Sequence, residues 1–221
     1  MKRTLLVLSL FVTAAFQLSA ASITVRTGVD ATNALLADGA ADIDWLITTD
    51  GGASFAAPVV AFPAQICCGM ETVAGTAKWI TDPSVTSDSA ATGWGVGNPV
   101  TVFTTFDLTG FDLATTSLTG IARVADNTLS IAINGIVIPG SAAGSSWDED
   151  WPVAAGPAFF VPGVNVLSIT GDSLNSAWDA FWFDATIADR PTTGEVPEPS
   201  SLMLLGAGLG LLGLGARRFR S

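Results

Sequence analysis

The residues best suited to chemistry in this chain are carboxylates and indoles. The densest group is Trp147-Asp148-Glu149-Asp150-Trp151, three acids bracketed by two tryptophans. Two carboxylates about 5 to 10 Å apart, one with a raised pKa, can cleave glycosidic bonds. A carboxylate-dependent enzyme acting on polysaccharide is therefore one reading of this loop. A second is calcium: Asp148, Glu149 and Asp150, with neighbouring carbonyls, make the hard oxygen set that this ion takes, although no EF-hand spacing is present. The third is a solvated rim on an acidic protein. The seven tryptophans offer different chemistry. If the segment from Ala177 to Ile187 is a strand, its period of two puts Trp178, Ala180, Trp182 and Asp184 on one face, and Phe181, Phe183 and Ile187 on the other. Either that strand is buried on both sides, or Trp178, Trp182 and Asp184 form an indole face, extended by Trp147 and Trp151, that stacks on sugar rings.

Composition removes several alternatives. The chain has no histidine, which excludes imidazole-based serine or cysteine triads and histidine-ligated zinc or haem. Its only cysteines, Cys67 and Cys68, are adjacent. Neighbouring Cα atoms lie about 3.8 Å apart, below the usual disulfide range, so a bond between them closes a strained ring. Free thiols, that strained bond and cross-links between chains all stay open, and two sulfurs are too few for a closed zinc site. The net charge is −11, from nine basic and 20 acidic residues. So acidic a chain repels phosphate backbones, and no nucleic acid is expected as a partner.

The two ends of the chain read as addresses. Lys2-Arg3, the apolar stretch from Leu5 to Leu18 and the small residues Ser19-Ala20-Ala21 have the three-part layout of a secretory signal peptide, cut after Ala21. At the other end come Val196, Pro197, Glu198 and Pro199, then the apolar run Leu202 to Ala216, then Arg217, Arg218 and Arg220. The prolines keep the knuckle extended and open to a processing enzyme. The 15 residues from 202 to 216 rise roughly 22 Å as a helix, against a hydrocarbon core of roughly 30 Å. They span only if the arginines snorkel to the cytoplasmic interface. Arginine after the run puts the C-terminus inside and the body outside. Processing at both ends would leave Arg26, Lys78, Arg123 and Arg190 against the 20 acids, a charge of −16.

Proline-glutamate-proline, a short apolar helix and an arginine stop, in that order, resemble the PEP-CTERM sorting tail carried by exosortase substrates. The resemblance implies export, an intermediate anchored in the inner membrane by the C-terminal helix, and cleavage by an exosortase-like enzyme. It also implies a final place in the cell envelope or in an exopolysaccharide biofilm matrix.

Between the two ends, short alternating runs separated by Gly, Pro, Asn and Asp predict strands. From Val100 to Leu108, the residues Val100, Val102, Phe106 and Leu108 fall on one face and Thr101, Thr105 and Asp107 on the other, interrupted by Phe103 and Thr104. Strands are also expected over 118–125, 128–133 and 164–170, the last entered through a Pro162-Gly163 turn. Asn134-Gly135 signals a two-residue hairpin of type I′, because both positions accept positive φ. One short helix is expected over Asp30 to Asp38. The stretches Phe106-Asp107-Leu108, Ala125-Asp126-Asn127, Ile133-Asn134-Gly135 and Phe160 to Ile169 resemble the framework of galactose-binding-like modules.

The expected fold class is accordingly all-β: a two-sheet antiparallel jelly-roll-like sandwich over residues 22–190, after a signal-peptide helix over 1–21. A linker with the PEP motif over 191–201 and a transmembrane helix with its basic stop over 202–221 follow. The expected function is non-catalytic: an exported envelope or matrix protein that binds carbohydrate, its partners being the export machinery, the tail-processing enzyme, exopolysaccharide and, before processing, the membrane. Calcium is the one cofactor considered.

Overall fold

The computed structural model describes residues 21–62, 76–84, 99–124, 127–141, 150–172 and 180–189. The expected signal-peptide helix and C-terminal helix lie outside them. The strands are β1 (Ser22–Arg26), β2 (Leu46–Thr48), β3 (Val59–Val60), β4 (Ile80–Thr81), β5 (Pro99–Asp107), β6 (Ser117–Val124), β7 (Asn127–Ile133), β8 (Ile136–Val137), β9 (Trp151–Ala155), β10 (Val164–Asp172) and β11 (Phe181–Ala188). They form two antiparallel sheets. One has the order β3-β4-β11-β6-β9, with β1 also paired to β11; the other has the order β2-β5-β10-β7-β8.

The sheets pack through the alternating faces that the sequence predicts. Val100, Val102 and Phe106 of β5, with Leu167 and Ile169 of β10, meet Phe181, Phe183 and Ile187 of β11 in one core. Trp45 closes it: the indole lies edge-on to Phe183 at 6.0 Å between ring centroids, and its Nε1 donates to the Arg26 carbonyl at 2.8 Å. Burying the ring while satisfying its one donor retains the apolar gain without an orphaned polar group. Thr104 breaks the apolar alternation of β5 because its hydroxyl is spoken for: Oγ1 donates to the Asp44 carbonyl at 2.6 Å. Gly120 of β6 faces the same core. A Cβ there would lie 2.3 Å from the Asp184 carbonyl oxygen, so the approach of β6 to β11 requires glycine.

The hairpin has the predicted geometry. Asn134 and Gly135 have φ of 52° and 77°, as a type I′ turn demands, and β8 returns along β7 with Ile133 opposite Ile136.

The stretch Asp30 to Asp38 is a correction to the sequence reading, since it forms turns in place of a helix. Asp30 Oδ1 accepts the amides of Thr32 at 2.8 Å and Ala34 at 3.0 Å, Asn33 takes a φ of 63°, and Val29 bridges Leu35. A short acidic side chain that captures the amides ahead of it competes with helical pairing, and here it wins.

The central strand β11 is covered on both sides at its start, where Trp182 lies, while Thr186 further along the outer face is exposed. Its inner residues join the main core. On the outer side Trp182 packs with Ala61, Ala77, Trp79 and Ala180 in a second, smaller core.

Candidate functional site

Of the expected indole face, Trp151, Trp182 and Asp184 fall among the described residues. Trp182 is 1% exposed and closed to any ligand, and among the described residues its Nε1 has no hydrogen-bond partner. This corrects its assignment to a sugar-stacking surface: Ala61, Ala77 and Trp79 supply the apolar cover that an exposed indole would have lacked. Asp184, two residues on, is held by Arg26, whose Nε lies 2.9 Å from Oδ1. Trp151, the first residue of β9, stands opposite Ala122 in the register, whereas Trp182 stands opposite Arg123. Residues one apart on β6 point to opposite faces, so Trp151 and Trp182 are separated by the sheet itself.

In the acidic loop, Asp150 Oδ1 accepts from Arg123 Nε at 2.8 Å and lies 2.7 Å from Nη2. That guanidinium, almost wholly buried, engages one of the two Asp150 carboxylate oxygens. Trp147, Trp178, Asp148 and Glu149 lie outside the described residues, as do Cys67 and Cys68, the sorting motif Val196, Pro197, Glu198 and Pro199, and the arginines 217, 218 and 220. Among the described residues, no group of three or more Cys, Asp or Glu stands together.

A different surface has the chemistry expected of the indoles. On the outer side of the five-stranded sheet, register aligns Leu46 with Phe103, Phe103 with Ser168, Ser168 with Ala132 and Ala132 with Val137. The next row runs Thr48, Thr101, Thr170 and Ser130, and in it the hydroxyls of Thr101 and Thr170 bond to one another at 2.9 Å. Phe55 stands edge-on over Phe103 at 5.3 Å. Phe55, Leu46, Val137 and Val166 are 54%, 41%, 49% and 40% exposed.

Phe55 reaches this place through a turn that its own sequence builds. Asp50 Oδ1 accepts from the Thr48 hydroxyl and the Ser54 amide, each at 2.9 Å, and Oδ2 accepts from the Ser54 hydroxyl at 2.5 Å. The amide of Gly52 donates to Thr48 Oγ1 at 2.9 Å. Exchange of backbone bonds between Ile47 and Ala56 then fixes the return strand. Bonds from Ser54, then Thr48, hold the Asp50 carboxyl well below the usual carboxylate range, so the charge is spent on the turn.

Among the described residues, none pointing outward from the body of this sheet is charged; Asp107 and Asp172 stand at strand ends. A neutral face of two phenylalanines, aliphatic side chains and a band of threonine and serine hydroxyls can cover the apolar face of a sugar ring and bond its rim. The sequence did carry a signal for it. Phe103 shares the outward parity of Thr101 and Thr105, so the alternation of β5 already sets it on the outer face.

Carboxylate catalysis finds little support among the described residues. The one carboxyl there with a raised pKa is Asp42, pushed up to about 6 by burial. It is fully enclosed, and its two oxygens take the amides of Gly28 at 2.6 Å and Asp44 at 3.2 Å. A group so enclosed has no path to a substrate.

Comparison with known proteins adds the following. No curated protein matches the chain. A solved structure of a family 35 carbohydrate binding module from Clostridium thermocellum is similar over 74% of this chain and 97% of that one, at 9% identity and a TM-score of 0.37, too low to carry a ligand or a site across. No catalytic family is indicated. Residues 195–220 match the family model for the PEP-CTERM protein-sorting motif, and the chain therefore carries at its C-terminus the tail of an exported protein with a membrane-anchored intermediate.

Proposed function

We propose that this is a non-catalytic protein of the cell envelope or exopolysaccharide matrix, exported, sorted through its PEP-CTERM tail, and binding neutral saccharide on the outer face of the five-stranded sheet. The observation that carries the reading is that, among the described residues, the body of that face bears no charge in a chain of net charge −11. An acidic protein repels anionic polymers unless cations bridge them. A neutral glycan meets no such barrier, and the exposed Phe55 and Leu46 with the half-buried Phe103 give it apolar contact beside the hydroxyls of Thr101, Ser168 and Thr170. Export supports the same reading, because it delivers the protein to the compartment where polysaccharide lies.

A glycan array probed with residues 22–195, in calcium and in chelator, tests this. Retention of neutral glycans that is lost on replacing Phe55 and Phe103 by alanine supports it. Retention of anionic glycans alone, dependent on calcium, overturns the neutral-face reading and moves the site to the acidic loop. Binding of no glycan overturns it altogether.

A further inference from the structure

The two ends of the described domain meet. β1 runs antiparallel to β11 with Ser22 opposite Ala188. One step further out, the Ala21 amide donates to Asp189 Oδ1 at 3.0 Å, and the Asp189 amide donates to the Ala21 carbonyl at 3.2 Å. The Thr115 hydroxyl donates to the Asp189 carbonyl. The chain thus leaves the sandwich toward its N-terminal apolar stretch and toward its C-terminal one from adjacent strands, about 4.8 Å apart, at a single end.

That end is well defined. The connection from β5 to β6 and the connection from β9 to β10 both cross it, tied together where the Leu108 amide donates to the Gly163 carbonyl at 2.9 Å. The Asn134 hairpin joins them through Nδ2, which donates to the Phe159 carbonyl at 3.0 Å. The Asp50 turn projects from the opposite end, since β2 runs from Phe103 toward Pro99 of its neighbour. The nine residues of β10 put roughly 30 Å between the two ends.

From Asp189, only residues 190–196 separate the folded body from the prolines of the sorting motif. Seven residues reach at most about 25 Å even when fully extended. With residues 197–201 added, twelve residues precede the apolar run at Leu202, so while the tail is in the membrane the end bearing Asp189 is held within about 43 Å of the lipid. If the N-terminal apolar stretch is still attached, it pulls on the same end. Asp107, Asp112 and Asp189 lie there, and among the described residues no lysine or arginine does. This end is not attracted to an anionic lipid surface; the tether alone holds it.

We propose that the membrane-anchored stage of this protein stands end-on to a phospholipid surface, with the Ala21–Asp189 end toward the lipid and the Asp50 turn away from it. The strands then run away from the bilayer, and the neutral face becomes a side wall. On the reading that this face binds saccharide, the anchored form is already open to its ligand. Folding of the body also requires neither end to be released first, because both apolar segments leave on the membrane side.

The test uses the full chain in vesicles of phosphatidylethanolamine and phosphatidylglycerol containing a headgroup nitroxide lipid. A fluorescent amino acid is introduced at Ala114, exposed on the connection near Asp189, or at Ala53, exposed on the Asp50 turn. Quenching several-fold stronger at Ala114 than at Ala53 is expected. Equal quenching at the two positions, or stronger quenching at Ala53, overturns the proposal. Far-UV circular dichroism of both variants guards against misfolding, and a repeat with Thr109 in place of Ala114 must give the same order. Saccharide plays no part in the measurement, so the orientation and the ligand reading fail separately.

Discussion

Asn134 Nδ2 donates to Asn165 Oδ1 at 2.7 Å, joining the β7–β8 hairpin to the turn that opens β10. Asn165 is fully buried and uses its whole hydrogen-bonding capacity: Oδ1 also accepts the Val161 amide at 2.9 Å, and Nδ2 donates to the carbonyls of Val161 and Gly163, each at 2.8 Å. Asn134 Oδ1 in turn accepts the Val166 amide at 3.0 Å. Replacing Asn165 by leucine keeps the volume and strands these partners, and each buried orphan costs about 1 to 3 kcal/mol. Asn165→Leu is expected to lower stability by at least about 3 kcal/mol, read as a reduced urea midpoint at unchanged slope.

Two glycines separate torsional strain from collision. At Gly135 a Cβ meets nothing within 4 Å, and φ is 77°. Gly135→Val therefore costs only the price of a β-branched residue at positive φ, about 1 to 3 kcal/mol. Gly120→Ala adds a smaller group but drives it into the Asp184 carbonyl and Ala185. The alanine variant is expected to melt below the valine variant, and thermal denaturation of the pair decides it.

Stability should peak in mildly acid solution. The Asp42 carboxyl is raised from 3.8 to about 6 in the fold, first by burial. Between these values the folded protein keeps a proton that the unfolded chain releases. As pH rises from 4 to 6, stability falls, by on the order of 2 to 3 kcal/mol, and it stays lower above. The carboxyls of Asp30, Asp50 and Asp107 are lowered by hydrogen bonds from Thr32, Ser54 and Thr109 respectively. Their contribution is complete above the ordinary carboxylate range and is lost as pH drops below it. Melting temperature measured from pH 3 to 8 should thus pass through a maximum near pH 4 to 5. In Asp42→Asn the decline above pH 4 should be absent, at a lower starting stability, because the amide cannot accept both the Gly28 and the Asp44 N–H.

The indoles and the phenylalanines should behave oppositely. Trp182→Ala empties a closed core and is expected to cost about 3 to 5 kcal/mol. Phe55→Ala, at an exposed position, should leave the melting temperature within a few degrees while saccharide retention is lost. Retention that survives in Phe55→Ala/Phe103→Ala places the ligand elsewhere.

Intact-mass measurement of envelope and secreted fractions should show a dominant species that ends near Pro197 to Pro199 and begins at Ser22. A dominant species that still carries Phe219 and Arg220 would instead point to permanent anchoring.

The sequence by itself determined what depends on near neighbours. Alternation over Val100 to Leu108 named an inward face because successive strand residues point oppositely. Asn134-Gly135 named its turn because few residue pairs accept two positive φ angles. The tail named its address because proline, an apolar run and arginine act locally. Only the tertiary structure decided what covers each face. A strand with aromatics on both sides, as in β11, has two apolar faces and no mark of which will be enclosed; the cover for Trp182 comes from Ala61, Ala77 and Trp79, over 100 positions earlier. Phe55 and Phe103 lie 48 residues apart and meet because β2 pairs with β5. Asp189 finds Ala21 across the whole domain. Such pairings depend on distant parts of the chain being brought together, and no local period records them.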